Sequence, residues 1–239
     1  ARRQSLIEAY AGKPVISGAE EWRCGRGYPA LTYLDGNAVK QTVADRSGRS
    51  QTVSIQYLTD GDLIPKLTVL TANGGYVGII VNTVRRAQQI AQQMRESIGS
   101  GRVHLLHSGF TSIDRTGREA EVLELLNTRN RQPPPFRMFV VGTQVIEQSL
   151  DLDFDLLVSD LCPVDLLIQR IGRLHRHENV RAPDLQVPQC LILDRDDGRF
   201  EPGAEAVYGR YQLMNARALL PAVLQVPADI PGMVSKAYS

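Results

Sequence analysis

The chain has 239 residues, 43% of them hydrophobic, enough to bury a core as one large domain or as a domain with a smaller appendage. Its formal net charge of +1 argues against a protein that grips polyanions with a broad basic surface, so any nucleic-acid contact has to be local. No window is apolar and long enough to span a bilayer, and the opening ARRQSLIEAYAGKP lacks a signal peptide's apolar core, which leads us to expect a soluble, cytoplasmic protein with no membrane partner.

In chain order, residues 1–60 hold two candidate strands, YPALTYL and TVSIQYL, separated by a polar stretch containing Gly and Asp. A regular rhythm follows. GYVGIIVN is a β-branched run of the kind buried on both faces of a parallel sheet. Next comes a helical pattern with Val84, Ala87, Ala91, Met94 and Ile98 on one face, Thr83 placed to cap its start and Gly99 to stop it. RVHLLHSG reads as a strand and DRTGREAEVLELLN as a helix; RMFVVGT, FDLLVSD and QCLILD are further strands. The triplet PPP at 133–135 marks a surface loop, and the chain closes with two helical patterns, EAVYGRYQLMNARALL and DIPGMVSKAY. Strand and helix alternating in this way predict an α/β fold, a parallel sheet with helices on both faces.

The densest chemistry lies in DLLIQRIGRLHRH, residues 165–177. A helical wheel puts Val164, Leu167, Ile168, Ile171 and Leu174 on one face and Gln169, Arg173 and Arg176 on the other, with Arg170 off to the side. Pro163 suits the first helical position and Asp165 the first turn, while Gly172 costs about 1 kcal/mol relative to alanine in a helix interior. A solvated basic face is the bland alternative. Against it stands VVGTQVIEQSLDLDFD, where a strand runs into Gly142 and Thr143 and then a polar turn. In open parallel sheets ligands bind outside the carboxyl ends of the strands, and a backbone amide and a hydroxyl there suit phosphate.

GTQVIEQSLDLDFD resembles motif V, and QRIGRLHRH motif VI, of superfamily-two helicases. The wording is most similar to the CRISPR-associated helicase–nuclease of type I interference systems. GIIVNTVRRAQQIAQQM then matches motif IV, LLHSGFTSIDR the strand and loop after it, and the tail the linker behind the second RecA-like domain; the likeness covers about residues 75–239. The resemblance implies a RecA-like parallel sheet plus a C-terminal helical linker, divided as 1–60 (connection from the first helicase domain), 61–198 (RecA-like domain 2) and 199–239 (linker). It implies that Arg173 and Arg176 reach the γ-phosphate of ATP, that Gln169 positions the attacking water or touches that phosphate, and that Asp151 lies near the nucleotide. It also implies that Asn82, Thr83, Ser108, Gly142 and Thr143 line the track of single-stranded DNA. Implied partners are the first RecA-like domain, a histidine–aspartate nuclease domain and a CRISPR RNA-guided surveillance complex.

No GxxxxGK[ST] can be drawn, because the four lysines are followed by Pro14, Gln41, Leu67 and Ala237. The chain is therefore expected to supply arginines but no phosphate cradle, with Mg²⁺ ligands on the missing first domain, and to be inactive towards ATP alone. No metal site is expected in this chain: His104 and His107 at i and i+3 of a strand point to opposite faces, although Asp151, Asp153 and Asp155 would share one if extended. The three cysteines, Cys24, Cys162 and Cys190, lie far apart and read as incidental thiols in a reducing compartment. The nearest alternatives are an RNA or repair helicase domain of the same superfamily and a non-catalytic RecA-like adaptor. The trio Gln169, Arg173 and Arg176 speaks against the adaptor.

Overall fold

The computed structural model describes residues 2–12, 30–36, 38–43, 48–147 and 151–238. The chain divides into two compact units, Ala1–Ser50 and Gln51–Ser239. In the first, α1 (Arg2–Ala11) precedes an antiparallel pair, β1 (Ala30–Asp35) and β2 (Ala38–Val43), in register from Ala30↔Val43 to Asp35↔Ala38. Cys24 and the start of YPALTYL lie outside the described residues.

The second unit is built on a seven-stranded sheet. In chain order its elements are β3 (Gln51–Leu58), α2 (Asp60–Leu70), β4 (Gly75–Ile80), α3 (Val84–Ile98), β5 (Val103–Leu106), α4 (Ser112–Leu126), β6 (Arg137–Gly142), β7 (Leu156–Asp160), α5 (Val164–Ile171), β8 (Gln189–Leu193), α6 (Ala204–Tyr208), α7 (Arg210–Leu219), β9 (Val223–Val226) and α8 (Ile230–Ala237). The spatial order is β5-β6-β4-β7-β8-β3-β9, with β9 antiparallel to β3 and every other pairing parallel. This is the expected α/β, RecA-like parallel sheet.

Period-two alternation along the strands splits the core into two layers. Val77, Ile79, Val141 and Val158 face one layer, with Leu63 and Leu67 of α2 and Ala87, Ile90, Ala91 and Met94 of α3. Ile80, Val140 and Leu157 face the other, with Val122 and Leu126 of α4, Val164, Leu167 and Ile171 of α5, and Leu213 and Met233 of α7 and α8. Both faces of the sheet are covered, which is why β4 and β7 are continuously buried. Thr83 caps α3 by accepting from the Arg86 amide at 3.3 Å, and Gly99 ends it with φ +104°, as the sequence predicts.

Three features depart from the sequence reading. The sheet starts at Gln51, before the expected boundary at 60/61, because β3 pairs with β8 from Ser54↔Gln189 to Leu58↔Leu193. Residues 199–239 form no separate unit: β9 extends the sheet beside β3, so this segment is not purely helical. The helix α2 went unread because it carries Pro65 in its interior and a mixed apolar pattern.

Candidate functional site

The site residues fall at opposite edges of the sheet. At the carboxyl edge, β5, β6 and β4 are neighbours, so the segments following them, with Ser108, Gly142–Thr143 and Asn82–Thr83, lie side by side. Ser108 is exposed and Thr83 half-buried. Asn82 is not available as expected. It is 3% exposed; its amide hydrogen goes to Asp160 Oδ2 at 2.9 Å and its Nδ2 donates to the Leu161 carbonyl at 2.9 Å. A buried amide needs such partners, so Asn82 stitches β4 to β7 instead of reaching outward. The Gly142 carbonyl accepts from the Val81 amide at 2.8 Å, and the Thr143 amide donates to the Leu106 carbonyl at 3.2 Å. These backbone groups belong to the sheet. A Cβ on Gly142 would come within 2.2 Å of the Leu106 carbonyl oxygen, so close approach of neighbouring strands accounts for this glycine.

The arginines lie at the amino edge. Helix α5 leaves the carboxyl end of β7 and runs back along the sheet, burying Val164, Leu167 and Ile171 as the wheel predicts. It ends at Ile171, with Pro163 as N-cap, one position before the expected first helical residue, and Gly172 as C-cap, where the sequence reading places a helix interior continuing through Arg176. Gln169 is therefore exposed on the helix, whereas Arg173 and Arg176 belong to a loop, and the three do not stack on one helical face. That loop is stapled to the segment leading into β7. The Phe154 amide donates to the Arg173 carbonyl at 2.8 Å, the His175 amide to the Phe154 carbonyl at 2.9 Å, and Phe154 bridges Leu174 in parallel. The turn needs His175 at φ +48°, a left-handed conformation uncommon outside glycine.

Within the loop, Arg176 Nε pairs with Asp151 Oδ1 at 2.7 Å, and His177 Nε2 lies 3.0 Å from the same oxygen. Asp151 and Arg176 thus stand together as a partly exposed ion pair. Arg173 Nη2 donates to the Glu147 carbonyl at 3.0 Å, while its buried Nε has no hydrogen-bond partner among the described residues. Burial, and next the neighbouring Arg176 charge, hold the Arg173 guanidinium below the usual arginine range, with Asp151 opposing. An incomplete shell around a charged group is a place where an anion is favoured. Residues 148–150 of motif V, next to Asp151, lie outside the described residues.

Sequence reasoning missed Arg170. It is fully buried, the largest such side chain among the described residues. Its Nε donates to Glu147 Oε1 at 2.7 Å, and its Nη1 to Ser159 Oγ at 2.9 Å and to the carbonyls of Ile80 at 3.2 Å and Asp160 at 3.3 Å. A charged side chain almost never goes inside unpaired, so a wheel counting arginine as outward-facing cannot find it. The one signal was its position, beside the apolar stripe rather than opposite it.

The acidic run is structural. Asp153 and Asp155 are each 1% exposed and bind Arg131 and Arg181; Arg181 Nη2 lies 2.9 Å from Asp153 Oδ2, and both arginines bond Asp155 Oδ1. Asp153 also accepts the Arg176 amide at 2.7 Å, and Asp155 the Tyr76 amide at 2.9 Å. Asp151 stands apart from them, exposed. Among the described residues no three His, Cys, Asp or Glu side chains are grouped to hold a metal ion. His107 is buried, stacked on Phe110 at 4.0 Å, and accepts the Gly109 amide at Nδ1; His104 lies 3.5 Å from Glu121. Cys162 and Cys190 are free thiols in the core. No helix among the described residues is long and apolar enough to cross a membrane.

A parallel sheet covered on both faces, with polar loops at its carboxyl edge and an arginine loop stapled to its amino edge, defines one RecA-like domain of the kind used by helicases. Comparison with known proteins makes this particular. The family described as CRISPR-associated nuclease/helicase Cas3, C-terminal, matches residues 73–179. The chain is 38% identical to the CRISPR-associated nuclease/helicase Cas3 of Streptococcus thermophilus over 244 residues, covering 100% of this chain and 26% of that protein. It resembles the crystal structure of T. fusca Cas3 with AMPPNP (TM-score 0.80, 26% identity, 99% of this chain and 30% of that one). It also resembles a chain of a pre-nicking CRISPR RNA-guided surveillance complex (TM-score 0.80, 26% identity, 98% and 31%). The chain belongs to the CRISPR-associated nuclease/helicase Cas3 family and corresponds to the C-terminal part of its helicase; it spans about a quarter of the curated relative it matches.

Proposed function

We propose that this chain is the second half of an ATP-driven single-stranded-DNA translocase of CRISPR interference. Its amino edge turns Arg173 and Arg176 towards ATP held by a P-loop domain, and its carboxyl edge carries the strand. The observation that carries the reading is the state of Arg173: a guanidinium beside a second arginine, its buried Nε lacking a partner among the described residues. A γ-phosphate is an anion with oxygens to complete that shell. Arginines in this role contribute about 10³–10⁵ in rate by neutralising charge in the transition state.

In this reading Arg176 exchanges Asp151 for phosphate, Gln169 orients water from its exposed position on α5, and Ser108 and Thr83 follow the DNA backbone, while Thr143, 2% exposed, is buried beneath them. Asn82 and Gly142 act only by shaping that edge. The family resemblance implies that Mg²⁺ would take its ligands from the P-loop domain. The AMPPNP complex of the T. fusca protein and the surveillance complex containing a similar chain support nucleotide and complex as partners. The nuclease domain and the strand hauled towards it are carried over from the family resemblance.

The test is ATP hydrolysis with and without single-stranded DNA, by this chain alone and after addition of the family's P-loop domain. Hydrolysis only in the mixture, raised by DNA, is expected. Hydrolysis by the chain alone, or an inactive mixture in which the chain still binds a protein partner, would refute the reading, the latter in favour of an adaptor.

A further inference from the structure

Glu147 touches neither edge's expected ligand, yet it is 6% exposed and attached at three points. Its amide donates to the Gln144 carbonyl at 3.0 Å, its Oε1 accepts from Arg170 Nε at 2.7 Å, and its carbonyl accepts from Arg173 Nη2 at 3.0 Å. Among the described residues that last bond is the one hydrogen bond the Arg173 guanidinium makes. Arg170, in turn, is fixed by β4 through the Ile80 carbonyl and by β7 through Ser159 and Asp160. We infer that Glu147 is a positioning residue for Arg173, its carbonyl set in place by a carboxylate locked to the buried Arg170. The inference rests on the reading of Arg173 as a nucleotide-facing side chain.

The physical case is one of preorganisation. Long arginine side chains lose rotamer freedom when they act, and a catalytic group misplaced by about 1 Å can cost 10²-fold in rate. A surface loop would leave a carbonyl free to drift. Here the residue bearing it is tied to the sheet by a charge-assisted bond to a guanidinium with no solvent contact. Tyr208 of α6 lies 3.4 Å from Arg170 Nη2 and accepts from Gln144 Nε2 at 2.8 Å, so the C-terminal segment braces the same turn.

The experiment uses this chain together with its P-loop domain and reads kcat and KM for ATP with saturating single-stranded DNA. Glu147→Gln keeps the shape and one acceptor but removes the charge. It is expected to lower kcat about tenfold to a hundredfold with KM within about twofold. It is also expected to add no further loss in an Arg173→Ala background, because it acts only through Arg173. A paired replacement, Arg170→Met with Glu147→Met, removes both charges, is expected to fold, and should show the same dependence on Arg173. An active Glu147→Gln beside an inactive Arg173→Ala, or losses that multiply in the double variant, would overturn the inference. An unaffected Arg173→Ala would instead remove the nucleotide-facing reading, and this inference with it.

Discussion

Arg170→Met is the sharpest perturbation of the fold. The side chains of Arg170 and Glu147 are 0% and 2% exposed, and they meet at 2.7 Å. Removing the guanidinium alone leaves a carboxylate inside the protein with no counter-charge, which costs about 3–5 kcal/mol. The Ser159 hydroxyl also loses a donor, although it still donates to the Asp160 carbonyl at 2.7 Å. At about 1.4 kcal/mol per tenfold, the folding equilibrium constant should fall at least a hundredfold. Adding Glu147→Met replaces the pair by two apolar side chains, and stability should return to within about 1 kcal/mol of the original or exceed it. Urea unfolding followed by circular dichroism, on the four members of this double-mutant cycle, measures both numbers. A single Arg170→Met variant that loses less than about 1 kcal/mol, or a double variant no more stable than the single, would refute the account of a buried, mutually dependent pair.

Two glycines and a histidine give further tests. Gly142→Ala places a Cβ 2.2 Å from the Leu106 carbonyl oxygen and should cost about 1–3 kcal/mol, whereas Gly117→Ala, on α4 with nothing within 4 Å, should add about 0.5–1 kcal/mol; equal effects in urea unfolding would contradict the packing argument. His175 is pushed down from 6.5 to about 4 by burial and then by Arg181, against a weaker upward pull from its contact with the Asp155 carbonyl. The unfolded chain therefore takes up the proton first, so stability present above pH 6.5 is lost as pH falls from there towards 4. His175→Asn, which tolerates the left-handed turn, should remove that loss, and a stability difference between the two proteins that stays constant from pH 7.5 to 5 would rule the effect out.

The strands from β4 to β8 were legible because each is a short apolar run set off by a helical pattern or a polar turn, and so was the cap at Thr83. The edge strands were harder. β9 has four residues with one buried, and β2 alternates weakly, so neither stands out from a loop. The site was legible as a set of residues but not as a geometry. Periodicity carried the helix through Arg176, while a left-handed residue at His175 and a bridge to Phe154 turn the chain away three residues after Ile171. Both depend on contacts with a segment preceding in sequence by about twenty residues, which no local window sees. The same holds for Arg170 and for Asn82, polar side chains drawn inside by partners on β4 and β7.

The most direct measurement of the central claim is the single-turnover rate of ATP hydrolysis, with single-stranded DNA present, for the reconstituted motor carrying Arg173→Ala or Arg176→Ala. If these arginines complete the ATP site, each substitution lowers the rate by about 10³-fold or more while ATP still binds, since the charge they neutralise develops in the transition state. A rate unchanged by both substitutions would contradict the claim and leave the arginine loop a structural feature of the amino edge.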